Sequence, residues 1–187
     1  MPIPLIKMTI SPKKHIFVEL MRVSHHQIIW GYNYFTDILG PTNYLLVWDK
    51  CSSSNGCINY SQAEIAYTSF RQPMQIIQVP WDGCRMGRET GIKKIHPHQK
   101  PVELYIKILR KYAKPGFKIL DTHMGSGSSV IACHRLGLDI DACEIDQEFF
   151  LSAKRRLVDE VMQQELFSIK ERQIPENLLF EDLKEDL

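Results

Sequence analysis

The sequence predicts an α/β fold, a β-sheet flanked by helices in a three-layer αβα sandwich. Apolar runs of strand length alternate with stretches of helical periodicity along most of the 187 residues. A glycine-rich turn, Gly125-Ser126-Gly127-Ser128, joins a strand-like segment to a helix-like one, the junction of a β-turn-α-β unit. Hydrophobic residues make up 44% and charged residues 24% of the chain, a balance that supports a core and argues against disorder.

The elements follow in order. Ser11-Pro12 reads as an N-cap with a first-turn proline, and Ile16, Leu20 and Val23 form one apolar stripe of a short helix. Gln27 to Trp30 reads as a buried strand, Tyr34 to Leu39 as a helix stopped by Gly40-Pro41, and Tyr44 to Trp48 as another strand. Cys51 to Asn59 is a loop by composition. Met74 to Val79 reads as a strand ending at Pro80, and Asp82 to His96 as a second loop. Pro101 opens a helix whose Val102, Tyr105, Ile108, Leu109 and Tyr112 share a face, ended by Lys114-Pro115-Gly116. Phe117 to Leu120 is a strand entering Asp121; Ser129 to Leu136 is a helix closed by Gly137; Leu138 to Cys143 is the next strand. A last helix carries Phe150, Ala153, Leu157 and Val161, before a charged tail over 170–187.

A net charge of +1 gives no global attraction to nucleic acid, so any such contact has to come from a local cluster. The five cysteines are odd in number and lack Cys-x-x-Cys spacing, which disfavours a disulfide framework and a zinc site and suits a reduced, cytoplasmic setting. His25-His26 has no partners at metal spacing. No stretch approaches the ~18 apolar residues that cross a bilayer, so a soluble protein without membrane partners is expected.

The chemistry concentrates in the second half. At the carboxyl end of a strand, Gly125 and Gly127 let a cofactor approach the backbone without meeting a Cβ. Glu144 lies 23 positions after Asp121 (144 − 121), near the ~20-residue offset of a carboxylate that binds ribose hydroxyls. Asp121 would repel a pyrophosphate but favour the ammonium and sulfonium of S-adenosylmethionine, and Val130 replaces the third glycine of the dinucleotide fingerprint. A methyl-donor site leads on this reading, with a nucleotide phosphate site and a structural turn as alternatives.

His96-Pro97-His98-Gln99-Lys100-Pro101, a helix, and then Ile119-Leu120-Asp121-Thr122-His123-Met124-Gly125-Ser126-Gly127-Ser128 resemble DNA amino-methyltransferases, adenine-specific or cytosine amino-specific. The permuted class, with cofactor motifs after the catalytic one, is the one resembled, the group of type II restriction-modification and phage enzymes. The family pattern is His-Pro-x-Gln-Lys-Pro, then Asp-Pro-Phe-x-Gly-Ser-Gly-Thr; here Thr122-His123 stands for Pro-Phe and Ser128 for Thr. The likeness is specific from His96 to about Phe150 and looser upstream, at Ile28 to Phe35 and Val47 to Lys50. It implies a Rossmann-like S-adenosylmethionine-dependent methyltransferase fold, with His96, Gln99, Lys100 and Pro101 beside the methionine portion, Asp121, Gly125, Ser126 and Gly127 around the turn, and Glu144 at the ribose. It also implies double-stranded DNA as partner, with methylation of an adenine amino group.

One part of the family pattern is missing. Amino-group methylation needs a flipped base held by acceptors and an aromatic face, which the family supplies as Asp-Pro-Pro-Tyr or a close variant. No Pro-Pro pair occurs among these residues. The nearest approximation, Gln78-Val79-Pro80-Trp81, has a possible acceptor and a stacking face but the wrong place in the family order, and reads otherwise as a strand end with a packed tryptophan. The strand that carries the tetrapeptide would neighbour the one ending at Asp121, so the sheet is expected to be incomplete or rearranged at its centre. Leu5 to Ile10 as a substitute strand, a complementary polypeptide or second copy, and a rearranged sheet all remain open.

Arg85, Arg88, Lys93 and Lys94 set four positive charges against Glu89 and are the candidate DNA-contacting stretch, with a solvated loop as the alternative. The expected organisation is one methyltransferase domain over 1–169, with a truncated catalytic, DNA-facing half (1–95) and a cofactor half (96–169). The rival to an active enzyme is a catalytically silent cofactor- or DNA-binding remnant, or one part of a split methyltransferase.

Overall fold

The computed structural model describes residues 5–6, 14–51, 61–81, 89 and 93–173, the side chains of 5–6 and 164–173 excepted. Its elements are β1 (Leu5–Ile6), α1 (Lys14–Val23), β2 (Ile28–Trp30), a 3-10 turn (Tyr32–Tyr34), α2 (Thr36–Leu39), β3 (Leu45–Asp49), β4 (Ala63–Thr68), β5 (Gln75–Gln78), α3 (Val102–Tyr112), β6 (Lys118–Asp121), α4 (Ser128–Leu136), β7 (Asp139–Ala142) and α5 (Gln147–Gln173).

Among the described residues, five strands pair in the order β1-β2-β4-β3-β5 and two in the order β6-β7. β1 runs parallel to β2, with Leu5 opposite Ile28 and Ile6 opposite Ile29, and also comes within 8 Å of β6. The two sheets therefore adjoin across β1. A short strand, Leu5–Ile6, stands within the stretch expected as a substitute, but it pairs with β2 alone, so among the described residues the sheet stays divided between β1 and β6; residues 7–10 lie outside the described ones. β4 is antiparallel to both β2 and β3, while β5 is parallel to β3 and β7 to β6.

Alternation along β2 shows why the fold has three layers. Ile28 and Trp30 point into a core with Leu46, Trp48, Ile77, α3, Ile119 and the Ile131–Cys133 stretch of α4. Ile29, between them, packs on the other face with Phe17 and Leu20 of α1 and with Phe35. Successive strand residues face opposite sides of a sheet, so a strand covered on both faces must be apolar throughout, as β2 is. Each fully buried side chain of this size contributes about 1.5–3 kcal/mol. Trp48 is 1% exposed, meets Trp30 edge-on at 6.2 Å, and donates its indole N–H to Val79 O at 2.8 Å.

The terminators act as expected. Pro115 and Gly116 follow α3, and Gly137 ends α4 at φ 64°, a left-handed conformation that glycine adopts without a Cβ penalty. The structure differs from the sequence expectation in four places. The expected Tyr34 to Leu39 helix divides into the 3-10 turn and α2, because Phe35 leaves helical geometry at φ −131°. β4 had no counterpart, since Ala63 and Glu64 dilute the strand signal of Ile65 and Tyr67. Pro101 sits in extended backbone as the N-cap of α3, one position before the first turn. α5 runs to Gln173, into the stretch read as tail.

Candidate cofactor turn and adjoining cleft

The turn after β6 is clamped to the end of β7 by backbone bonds. Cys143 N donates to Asp121 O at 2.8 Å and Met124 N to Cys143 O at 2.9 Å. Asp121, 1% exposed, accepts from His123 N through one oxygen (3.0 Å) and from the Ser129 hydroxyl through the other. Glu144, at the end of β7 and half-buried, accepts from Gly125 N at 2.9 Å and from Asp146 N at 3.1 Å. The two carboxylates thus converge on one turn. Ile145 next to Glu144 is 99% exposed, an apolar surface that a planar heterocycle would cover.

Both glycines are required. Gly125 and Gly127 have φ 53° and 73°, and a Cβ on them would stand 3.4 Å from the His96 ring and 3.2 Å from Ala153 Cβ. His96 packs over Gly125, meets Phe149 of α5 edge-on at 4.4 Å, and accepts from His98 N at 3.1 Å. Gln99 holds this segment from within, its side-chain oxygen accepting from Ile95 N at 3.0 Å. Burial lowers the pKa of His123 against the opposing pull of Glu144, which keeps the ring uncharged beside the turn.

Lys100, expected beside a methionine portion, engages β4. It is 4% exposed, bonded to Glu64 on β4, with its ammonium 5.0 Å from the Trp30 ring and 5.2 Å from the Trp48 ring. Glu64 also receives Lys50 Nζ at 2.6 Å. Burial would raise the Glu64 pKa, but Lys100 and then Lys50 override it and hold the carboxyl at about 2. Burial lowers the pKa of Lys100, and Glu64 opposes that shift.

This ion group forms one wall of a cleft of about 470 Å³, lined also by Trp30, Asn33, Tyr34, Ser61 and His98. The His98 ring lies 6.1 Å from the His96 ring, so the cleft opens next to the cofactor turn. Trp30 Nε1 is a buried donor with no partner among the described residues.

The remaining candidates fall elsewhere. Gln78 ends β5, and Pro80 and Trp81 follow it, at the edge of the five-stranded sheet opposite the β1 edge that adjoins β6. Trp81 is 7% exposed and packs in the core, with Lys94 5.2 Å from its ring. Lys93 and Lys94 are exposed; Arg85 and Arg88, like the loop 52–60, lie outside the described residues. His26 stacks on Phe70 at 4.4 Å, and the described residues hold no metal-binding cluster. Sequence reasoning missed Glu64, Ile145 and Arg156. Only Ile145 left a local sign, as an isoleucine placed directly after a strand-end acid.

A mixed, mostly parallel α/β arrangement with a glycine turn between two strand-end acids defines the class, a Rossmann-like nucleoside-cofactor fold of the S-adenosylmethionine-dependent methyltransferase type. Residues 22–155 match the N6/N4-methyltransferase family model, described as DNA methylase, and the chain belongs to that family. Of the solved structures it is similar to, M1.HpyAVI in complex with SAM has a TM-score of 0.57 at 18% identity, over 82% of this chain and 86% of that one. The cytosine-N4-specific PvuII DNA methyltransferase has 0.51 at 12%, over 86% and 82%. These likenesses are of fold. The ribosomal protein L11 methyltransferase of Campylobacter concisus (strain 13826) is 39% identical over 51 residues, 27% of this chain and 18% of that protein. The chain thus spans under a fifth of that curated relative.

Proposed function

We propose that this chain binds S-adenosylmethionine at the turn and, in a DNA methyltransferase, serves transfer of a methyl group to an exocyclic amino nitrogen, adenine being the preferred base. The observation that carries the reading is the convergence of Asp121 and Glu144 on the Gly125–Gly127 turn. The residues fit this cofactor. Asp121 supplies a negative field for a cationic ligand, Glu144 has acceptor capacity for ribose hydroxyls, and exposed Ile145 offers an apolar face to adenine. Bound there, the cofactor would supply an electrophilic methyl group.

The protein's own contribution is positioning. The His96-Pro97-His98 segment separates turn from cleft, and the cleft presents aromatic surface from Trp30 and Tyr34 with polar groups from Asn33, Ser61 and Glu64, the lining an extruded base requires. Glu64 stays ionised at neutral pH and so accepts rather than donates hydrogen bonds. Lys93 and Lys94, with Arg85 and Arg88, provide phosphate contacts. Residues 1–169 act as one domain in this reading, with 96–169 as the cofactor half.

The absence of a Pro-Pro tetrapeptide from these residues favours a second reading, a cofactor-binding part whose chemistry a second polypeptide completes. One pair of measurements separates them: calorimetric titration of S-adenosylmethionine, and tritiated methyl transfer to unmethylated DNA by the chain alone and with the products of neighbouring reading frames. Binding with transfer by the chain alone supports the first reading. Binding with transfer only in the mixture supports the second. No binding, or wild-type binding by D121A, overturns both.

A further inference from the structure

α5 buttresses the turn through one face. Phe149, Ala153 and Arg156 fall at spacings of four and three, so they stack along the helix. Phe149 meets His96, and Ala153 lies against Gly127. Arg156 Nη1 donates to Ser126 O at 2.9 Å and to Ser128 Oγ at 2.8 Å, while Nη2 donates to Glu89 Oε2 at 2.8 Å. Glu89, 9% exposed, accepts Val102 N at 2.6 Å through its other oxygen, capping the first turn of α3.

The bonds to β7 hold the start of the turn and leave its far end, at Gly127, to other partners. The turn contains two glycines at positive φ, and Gly127 at the start of α4 has no side chain to cap the helix. A flexible turn would lose its freedom on binding and weaken affinity, unless something orders it beforehand. The guanidinium orders it, touching the carbonyl and hydroxyl on either side of Gly127 with fixed planar geometry. A bare cation there would oppose a cationic ligand, and Glu89 cancels that charge.

We infer that Arg156 and Glu89 form a positioning pair that pre-orders the turn and neutralises the charge behind it. In this role both residues act on the ligand through the turn. The inference rests on the proposed binding of S-adenosylmethionine at this turn, and it assigns to Arg156 and Glu89 a role beyond docking α5.

The test is calorimetric titration of the full chain with S-adenosylmethionine and with S-adenosylhomocysteine, a zwitterion of zero net charge that lacks the sulfonium, alongside thermal melts of the free protein. R156Q should weaken both ligands about tenfold, the loss of charged hydrogen bonds, and R156K should fall between it and wild type. E89Q keeps an acceptor for Val102 N but frees the guanidinium charge. It should weaken the cationic ligand about threefold more than the neutral one. R135Q breaks a different bond between α4 and α5, Arg135 to Glu160, and should lower the melting temperature with affinities unchanged.

Wild-type affinity in R156Q, or an equal loss in R135Q, overturns the inference and leaves the cofactor reading standing. A wild-type ratio of the two affinities in E89Q overturns the charge role. Should R156Q not fold, the double variant R156Q/E89Q buries no unpaired charge; tight binding by it overturns the pair, and a tenfold loss supports it. Failure of the wild type to bind either ligand overturns the cofactor reading, and this inference with it.

Discussion

Glu64 carries the plainest residue-scale consequence. Its carboxyl is held at about 2 against an ordinary 4.5. A depressed carboxylate pKa means the unfolded chain binds more protons, so the stabilisation is complete above about pH 4.5 and is lost as pH falls toward 2. The gap corresponds to about 3 kcal/mol, reduced to about 2 because a third of the side chain faces water. Urea unfolding of wild type and E64Q at pH 5 and pH 2.5 should show wild type losing about 2 kcal/mol more; equal losses would remove the role given to this ion group. E64Q also leaves Lys100 buried without a counter-charge and should cost about 3 kcal/mol at pH 7. Asp121, Gly125, Gly127 and Glu144 were legible in the sequence because backbone geometry and strand position dictate them locally. Glu64 was not, since its meaning comes from Lys100, 36 positions away.

At the scale of elements, the paired strand Leu5–Ile6 stands where the sequence pointed to a gap. It pairs with one edge of β2 and lies beside β6, covering backbone groups that would otherwise be open to another chain. Replacing Leu5 and Ile6 by proline removes two N–H donors and should lower stability by about 3 kcal/mol or more and promote association. Light scattering after size exclusion, with a thermal melt, checks this, and an unchanged monodisperse species would mean β1 is dispensable. α3, α4, β6 and β7 were legible because each pairs an apolar stripe or run with a local terminator such as Pro115 or Gly137. β4 was not, because its place between β2 and β3 is set by cross-strand partners far along the chain.

For the whole molecule, a net charge near zero means that DNA binding in the proposed function is local. Neutralising Arg85, Arg88, Lys93 and Lys94 together should flatten the slope of log affinity against log salt by about 0.9 for each phosphate no longer neutralised, roughly two to four in all. An unchanged slope, measured by fluorescence anisotropy on duplex DNA, would take these residues out of the interface. The α/β alternation, the glycine turn with its two acids, and the family were readable before folding, because hydrophobic period, φ requirements and short motifs are written in neighbouring residues. The packed chain alone sets β1 beside β2 at the seam of the two sheets, turns Lys100 to Glu64 between two indoles, and stands Arg156 and Glu89 behind the turn. Those pairings join residues 28 to 70 positions apart or separate strands, and burial and charge pairing over such spans arise only when the chain has closed on itself.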